Sequence, residues 1–285
     1  MQYTASGRLL SELAELHLDT DTKNWFSQKI KAITEKKSAR ELYLTYSLCS
    51  SKFKDRGAFD ASKCNDKKLA DFLLERNTGL VETGRLALLI NALEADAGHF
   101  ADKIVRLVQM ADSKELETFL KYLVLLPQPE RFSFIAVDSL RTNIATVFDA
   151  IALNNPYPTL HFNDQQWNQM YLKAVFIGSD LSKMQGVDQR ANADLARIIS
   201  DYAHERWAAS RAIDPLIWRP TTNYLEGNLL KDMERLLASD DAAENRAAAL
   251  CCHHSGNDRA KALLSDHQDL VGQIESGDLT WSNIK

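Results

Sequence analysis

No proline interrupts the first 126 residues, and apolar side chains there recur at three- and four-residue spacing, as in Leu9, Leu10, Leu13 and Leu16 and again in Leu69, Phe72 and Leu73. Proline removes a backbone donor and collides with the preceding turn, so its absence over this length leaves helix open to the chain. The spacing places the apolar groups on one helical stripe. Strand-like alternation is nearly absent. Asp19 to Thr22, Ser38, Asn65-Asp66, Asn77 to Gly79, Gly98 and Asp112-Ser113 are cap and turn signals. They cut the pattern into pieces of roughly 11 to 16 residues, an ordinary helix length. Short helices with little between them bury their stripes against one another, which is the pattern of stacked helical pairs. The expected fold class is all-α, an array of antiparallel helical pairs resembling an α-solenoid through to the C-terminus.

The C-terminal piece carries this pattern most sharply. Ser239-Asp240-Asp241 caps a helix with Arg246, Ala247, Ala248, Ala249 and Leu250, and Gly256 and Asn257-Asp258 precede a second helix through Ala260, Leu263 and Leu264. Residues 239–275 resemble a HEAT-type repeat, whose alanines let two helices approach closely; a generic Ala-rich hairpin has the same pattern. Pro127-Gln128-Pro129 is the one marked break. A long helix is expected after it, from about Glu130 to Leu153, with Phe134, Val137, Ile144, Phe148 and Ile151 on one side. The expected organisation is an N-terminal array at 1–126 and a C-terminal domain at 127–285, or one continuous domain.

Composition bounds the class. A chain of 285 residues with 45% apolar, 26% charged and 8% aromatic side chains can bury a large core and reads as a soluble globular protein. Basic residues are in excess between Lys23 and Lys68. Lysines on solvated helix faces explain that excess, and no nucleic-acid partner is expected. Cys49, Cys64, Cys251 and Cys252 make no disulfide framework in a chain this long, and an adjacent pair is a poor staple, so a reducing cytoplasm fits best. Residues 1–18 are broken by Ser6, Arg8, Ser11, Glu12 and Glu15 and lack the apolar run of a signal peptide. No window approaches the roughly 20 apolar residues that span a bilayer.

Chemistry-bearing residues concentrate between Asn154 and Pro220, which holds four of the six prolines and three of the five tryptophans. Asn154-Asn155-Pro156-Tyr157-Pro158 must leave helical geometry, and the chain is expected to run extended through Leu160, His161 and Phe162. Asn163 and Asp164 then cap a helix carrying Trp167, Met170, Tyr171, Ala174 and Val175. Asn168 and Lys173 on it are five apart and point in different directions. A further helix is expected from about Asp188 to Ala212. Its Arg190, Asp194, Arg197, Asp201 and Glu205 form a stripe of alternating charge, each pair worth a few tenths of a kcal/mol. Tyr202, His204, Arg206 and Trp207 make its lower half polar or aromatic on nearly every face. That pattern suits either a site built from Tyr202, His204, Glu205, Arg206 and Arg211 or a buried polar network locking helices together. Pro215 and Pro220 bracket Trp218-Arg219 in what reads as a non-helical turn, where binding groups collect.

Metal and cofactor motifs are absent. In Cys251-Cys252-His253-His254 only Cys251 and His254 could share an ion, because consecutive helical residues point about 100° apart. His204-Glu205 lacks the second histidine of a zincin, and Asp201-x-x-His204 has no second copy for a di-iron site. There is no dinucleotide or phosphate-loop glycine motif and no nucleophile elbow. No metal and no cofactor are expected, and catalysis is the minority reading.

Asn155-Pro156-Tyr157-Pro158, Trp167-Asn168-Gln169-Met170 with Leu172-Lys173-Ala174, Asp188-x-Arg190-x-Asn192, Asp201 through Ala209 with Arg211, and Trp218-Arg219 together resemble the EboA family of bacterial proteins. The resemblance is specific over about 155 to 219 and general elsewhere. It implies a cytoplasmic protein encoded beside small-molecule enzymes, one of them membrane-bound, in clusters that make or move secondary metabolites. It carries no settled catalytic mechanism, so no residue inherits a role. The expected function is a non-catalytic binding or adaptor protein for a polar anionic metabolite or a pathway protein, including the membrane-bound enzyme. Trp167, Asn168, Lys173, Arg190, Tyr202, His204, Glu205, Arg206, Trp207, Arg211, Trp218 and Arg219 are its candidate ligand-binding residues. The arginines would act as bidentate donors and the tryptophans as walls. The alternative is an enzyme using His204 or Glu205 as acid or base on a phosphate- or carboxylate-bearing metabolite. That reading needs an enclosed pocket in which one of them meets a titratable partner. A third reading makes the cluster interhelical glue.

Overall fold

Side-chain caps set most of the helix starts. Asp19, Ser38, Asp66, Asp112, Asn163, Asn192 and Asp241 each accept a backbone N–H two or three residues on, at 2.8–3.2 Å, satisfying a donor that the first helical turn leaves unpaired. The computed structural model describes residues 5–53 and 59–284. Helix is the only regular secondary structure among them, with no strand. Part of the basic stretch from Lys23 to Lys68, residues 54–58, lies outside the described residues.

The chain forms two compact units, Met1–Tyr157 and Pro158–Lys285. The first holds α1 (Gly7–Glu15), α2 (Thr20–Thr34), α3 (Ala39–Lys52), α4 (Lys67–Glu75), α5 (Leu80–Gln109), α6 (Ser113–Lys121), α7 (Ser133–Ser139) and α8 (Ala145–Ala152). Helix α5 is its hub, packing against α1, α2, α3 and α6. The approach of α1 is close: a Cβ on Gly7 would lie 2.6 Å from the Asn91 side chain. A buried ion pair ties three helices, with Arg85 3.5 Å from Glu115, Arg85 Nε donating to the Tyr46 carbonyl at 3.2 Å and the Tyr46 hydroxyl donating to the Glu115 carbonyl at 2.8 Å. Helix α5 breaks at Asp96, two residues before the glycine that signals it, where φ is −164° and ψ 89°. There Asp96 accepts the His99 N–H at 2.9 Å and re-caps the second half.

The long helix expected from Glu130 to Leu153 does not form. In its place stand a 3-10 turn at Pro129–Phe132, then α7 and α8. The Thr142 hydroxyl accepts the Ile144 N–H at 3.1 Å, a local bond that competes with the helical ladder. Phe148 and Ile151 are buried as expected, but Phe134 and Ile144 face solvent.

The second unit contains most of α9 (Tyr157–His161), then α10 (Asp164–Ile177), α11 (Ala193–Ala208), a 3-10 helix at Pro215–Tyr224, α12 (Asn228–Leu237), α13 (Ala242–His254), α14 (Asp258–Ala262) and α15 (Gln268–Ser276). Helices α11 and α13 both pack on the 3-10 segment and on α12. Ala247, Ala248 and Ala249 are fully buried and let α13 sit close. Three expectations are corrected here. Residues 157–161 are helical rather than extended, because Pro158 sits in a first turn, where its missing N–H costs nothing, and Asn155 Oδ1 accepts the Tyr157 N–H at 2.9 Å. The helix expected over Asp188–Ala212 is only α11, which starts after the Asn192 cap and ends where Ser210 takes a left-handed φ of 51°. Trp218-Arg219 lies in 3-10 helix rather than in an irregular turn, with Asp214 capping its start at 3.0 Å.

Candidate functional site

Helix α12 has a strongly apolar face made by Leu229, Met233, Leu236 and Leu237, all buried, and Asp232 falls on the same face with 2% of its surface exposed. A carboxylate so placed needs donors. The Ser200 hydroxyl donates to Oδ2 at 2.6 Å and His204 Nε2 meets Oδ1 at 2.6 Å. Ser200 and His204 are four apart, so one face of α11 delivers both. With Nε2 donating to the carboxylate, Nδ1 is the ring nitrogen left over.

Around this contact lies an open groove of about 470 Å³ lined by His204, Trp207, Ala208, Lys231, Asp232 and Arg235. Trp207 stacks on the fully buried Trp218, with centroids 5.7 Å apart and planes at 24°, and the His204 ring lies 5.6 Å from it. The Arg235 guanidinium carbon sits 4.3 Å from the Trp207 ring. Lys231 and Arg235 are exposed and four apart on α12, and neither has a carboxylate partner among the described residues. Like charges at that spacing repel by a few tenths of a kcal/mol, which the place of Arg235 in the last turn of α12 offsets. Two cations with no carboxylate partner among the described residues, beside an indole and a held imidazole, are chemically suited to an anion with a flat or apolar body.

Of the twelve candidate residues, His204 and Trp207 line this groove, with Trp218 beneath. Arg190 is committed elsewhere. Its Nη1 lies 2.7–3.3 Å from the carbonyls of Pro158, Thr159 and Phe162, its Nη2 pairs with Asp164 at 2.9 Å, and its guanidinium lies over the Trp167 ring at 5.5 Å. Asn168 exchanges two amide hydrogen bonds with Asn192, at 3.0 and 2.8 Å. Lys173 is half-buried on α10. Arg206 turns back to the Ala212 carbonyl at 2.6 Å, sealing the chain after α11, with Tyr202 6.0 Å from it. Glu205 and Arg211 are exposed, and Arg219 forms a two-point pair with Asp188 at 2.8 and 2.5 Å.

The residues that reading by sequence missed are Asp232, Lys231, Arg235 and Ser200. Asp232 had a signal: it is the one acidic side chain on a stripe otherwise made of Leu229, Met233, Leu236 and Leu237. No group of three or more histidine, cysteine or acidic side chains among the described residues is arranged to hold a metal. Cys251 instead donates to the Trp218 carbonyl at 3.3 Å, and burial pushes its thiol up to about 12.

A family model described as metabolite traffic protein EboA matches residues 7–222, well over half of the chain. The chain belongs to the EboA family. The match reaches back to Gly7 and so takes in the first unit, beyond the 155–219 block that carries the motif resemblance. The family description points to a role in metabolite trafficking. No curated protein and no solved structure matches the chain. No helix among the described residues is long and apolar enough to cross a membrane. In this EboA member His204 and Trp207 fall inside the matched stretch, while Lys231, Asp232 and Arg235 on α12 fall past its end.

Proposed function

We propose that this protein is a non-catalytic binding protein for a small metabolite carrying a phosphate or carboxylate, which seats in the groove between α11 and α12. Lys231 and Arg235 meet the anion, Trp207 covers the apolar part of the ligand, and His204, oriented by Asp232, adds a hydrogen bond through its remaining ring nitrogen. The observation that supports this reading is a pair of cations, without a carboxylate partner among the described residues, on a groove open to solvent. Charge-assisted hydrogen bonds to an anion contribute about 1.5–3 kcal/mol each. Titration calorimetry with inorganic pyrophosphate is the test. Lys231→Ala and Arg235→Ala should each weaken binding by about tenfold or more, while Lys231→Ala, at an exposed position, leaves thermal stability unchanged and Arg235→Ala costs no more than about 1 kcal/mol with its contact to Trp207. Equal affinity in the wild type and both variants would remove the groove as the site.

The 2.6 Å contact between His204 and Asp232 also favours a second reading, since a carboxylate-held imidazole is how many general bases are positioned. The half of the enzyme expectation that asks for a titratable partner has support in that contact. The half that asks for enclosure does not, because an open groove leaves water at the imidazole and weakens every electrostatic interaction there. Binding is therefore preferred over catalysis.

A further inference from the structure

A second hollow, of about 320 Å³, opens on the same unit and shares no lining residue with the groove; Asp188, Arg219, Thr222, Asn223, His254 and Trp281 line it. Its electrostatics are of a different kind. Arg219 donates Nε and Nη2 to the two oxygens of Asp188 at 2.8 and 2.5 Å, so the two charges cancel where they meet. His254 is held toward its uncharged form. Burial, with His253 beside it, holds its imidazole below the ordinary histidine range against the pull of Asp188.

What remains is hydrogen-bonding capacity without net charge. A guanidinium has five N–H donors, and Asp188 engages two of them. Each carboxylate oxygen keeps a further lone pair. Asn223 is exposed and presents a donor and an acceptor, and the Thr222 hydroxyl, which donates to the Arg219 carbonyl at 2.8 Å, can still accept. Trp281 is half-buried on a pinned turn. The Thr280 N–H donates to Asn283 Oδ1 at 2.7 Å, Asn283 Nδ2 donates to the Asp278 carbonyl at 2.9 Å, and Leu279 and Ile284 are buried on either side.

An anionic ligand here would face the Asp188 carboxylate, and a cationic one the Arg219 guanidinium. A purely apolar ligand would strand donors and acceptors, each at a desolvation cost. Planar two-point groups such as a carboxylate, a guanidinium and an amide match pairs of adjacent hydroxyls, and an indole covers a patch of C–H. The volume stands at the small end of ligand pockets, where a single ring fits. We propose that this hollow binds a neutral polyhydroxylated ring, held by its vicinal hydroxyls through Asp188, Arg219 and Asn223 with Trp281 against its apolar edge.

The hydroxyl pair can belong to a free sugar or cyclitol, or to the ribose of a nucleoside. The test is titration of the full-length, 15N-labelled chain with methyl glucoside, myo-inositol and adenosine, following the Trp281 indole and Arg219 Nε resonances. At least one probe should shift both resonances saturably, with a Kd of ~1 mM. Saturation by adenosine alone assigns the ribose, and saturation by either of the others assigns the free polyol. Asp188→Asn, which keeps the side-chain shape, should weaken binding by about tenfold. If that variant is unfolded by circular dichroism, Arg219→Lys, which keeps the charge and loses the fork, takes its place with the same expectation. The proposal fails if none of the three probes saturates, if inorganic phosphate saturates the same resonances, or if the folded variant binds as the wild type does.

Discussion

At the scale of single residues, Asp232 stands where an apolar side chain would complete the buried stripe of α12. Its two partners, Ser200 and His204, both come from α11, so this one carboxylate fastens the two helices that bound the groove. Asp232→Ala leaves the Ser200 hydroxyl, itself buried, without an acceptor and opens a small void, and should cost about 2 kcal/mol in urea unfolding. Asp232→Leu should recover most of that loss, because an apolar side chain fills the stripe in place of a desolvated charge. Equal destabilisation by both variants would mean that the hydrogen bonds outweigh packing here; no loss in either would mean that the contact contributes nothing to stability.

At the scale of elements, helix α9 has only five residues, far short of the length at which an isolated helix holds in water. Arg190 compensates by gathering three carbonyls at its end, and Gly186 permits the fit, since its φ of 78° suits glycine and a Cβ there would collide with the Thr159 side chain. Arg190→Gln should therefore lower stability by about 2–3 kcal/mol, and Arg190→Lys should not rescue it, because an ammonium lacks the planar fork. Neither change should alter pyrophosphate affinity in a folded preparation; a loss of affinity without a loss of stability would return Arg190 to the ligand-binding residues. The same elements show what a sequence discloses. Caps such as Asp19, Ser38, Asp112 and Asn163 are legible because each rests on one side-chain bond to backbone two or three residues away. The turn between α7 and α8 is not, because Thr142 diverts the backbone inside an apolar run that reads as helix. The density of polar and aromatic groups on α11 marks the right helix. The arrangement opposite it, Asp232 facing His204 across 28 residues of chain, is set by how α12 packs, and single-helix periodicity carries no trace of that pairing. Arg190 and Arg206 look like ligand donors in sequence for the same reason: their acceptors are backbone carbonyls, which composition does not reveal.

At the scale of the molecule, every residue of the groove and of the second hollow belongs to the unit Pro158–Lys285. That stretch has the size at which domains commonly fold alone, about 100–150 residues. It also contains its own large buried side chains, among them Trp167, Tyr171 and Trp218. The family match ends at residue 222, inside the 3-10 helix at Pro215–Tyr224, so a piece cut at the end of the match would lose α12, which packs on α11, and α13, which packs on that segment. A fragment of residues 158–285 should therefore be helical by circular dichroism and unfold in one cooperative urea transition, with a slope of about 1–3 kcal/mol/M. It should bind pyrophosphate with a Kd within about threefold of that of the whole chain, since 1.4 kcal/mol would be needed for a tenfold change. A fragment ending at 222 should show neither the transition nor the binding. If residues 158–285 fold cooperatively but fail to bind, the groove needs something from the first unit; if they fail to fold, the second unit draws its stability from the first, and its core does not suffice by itself.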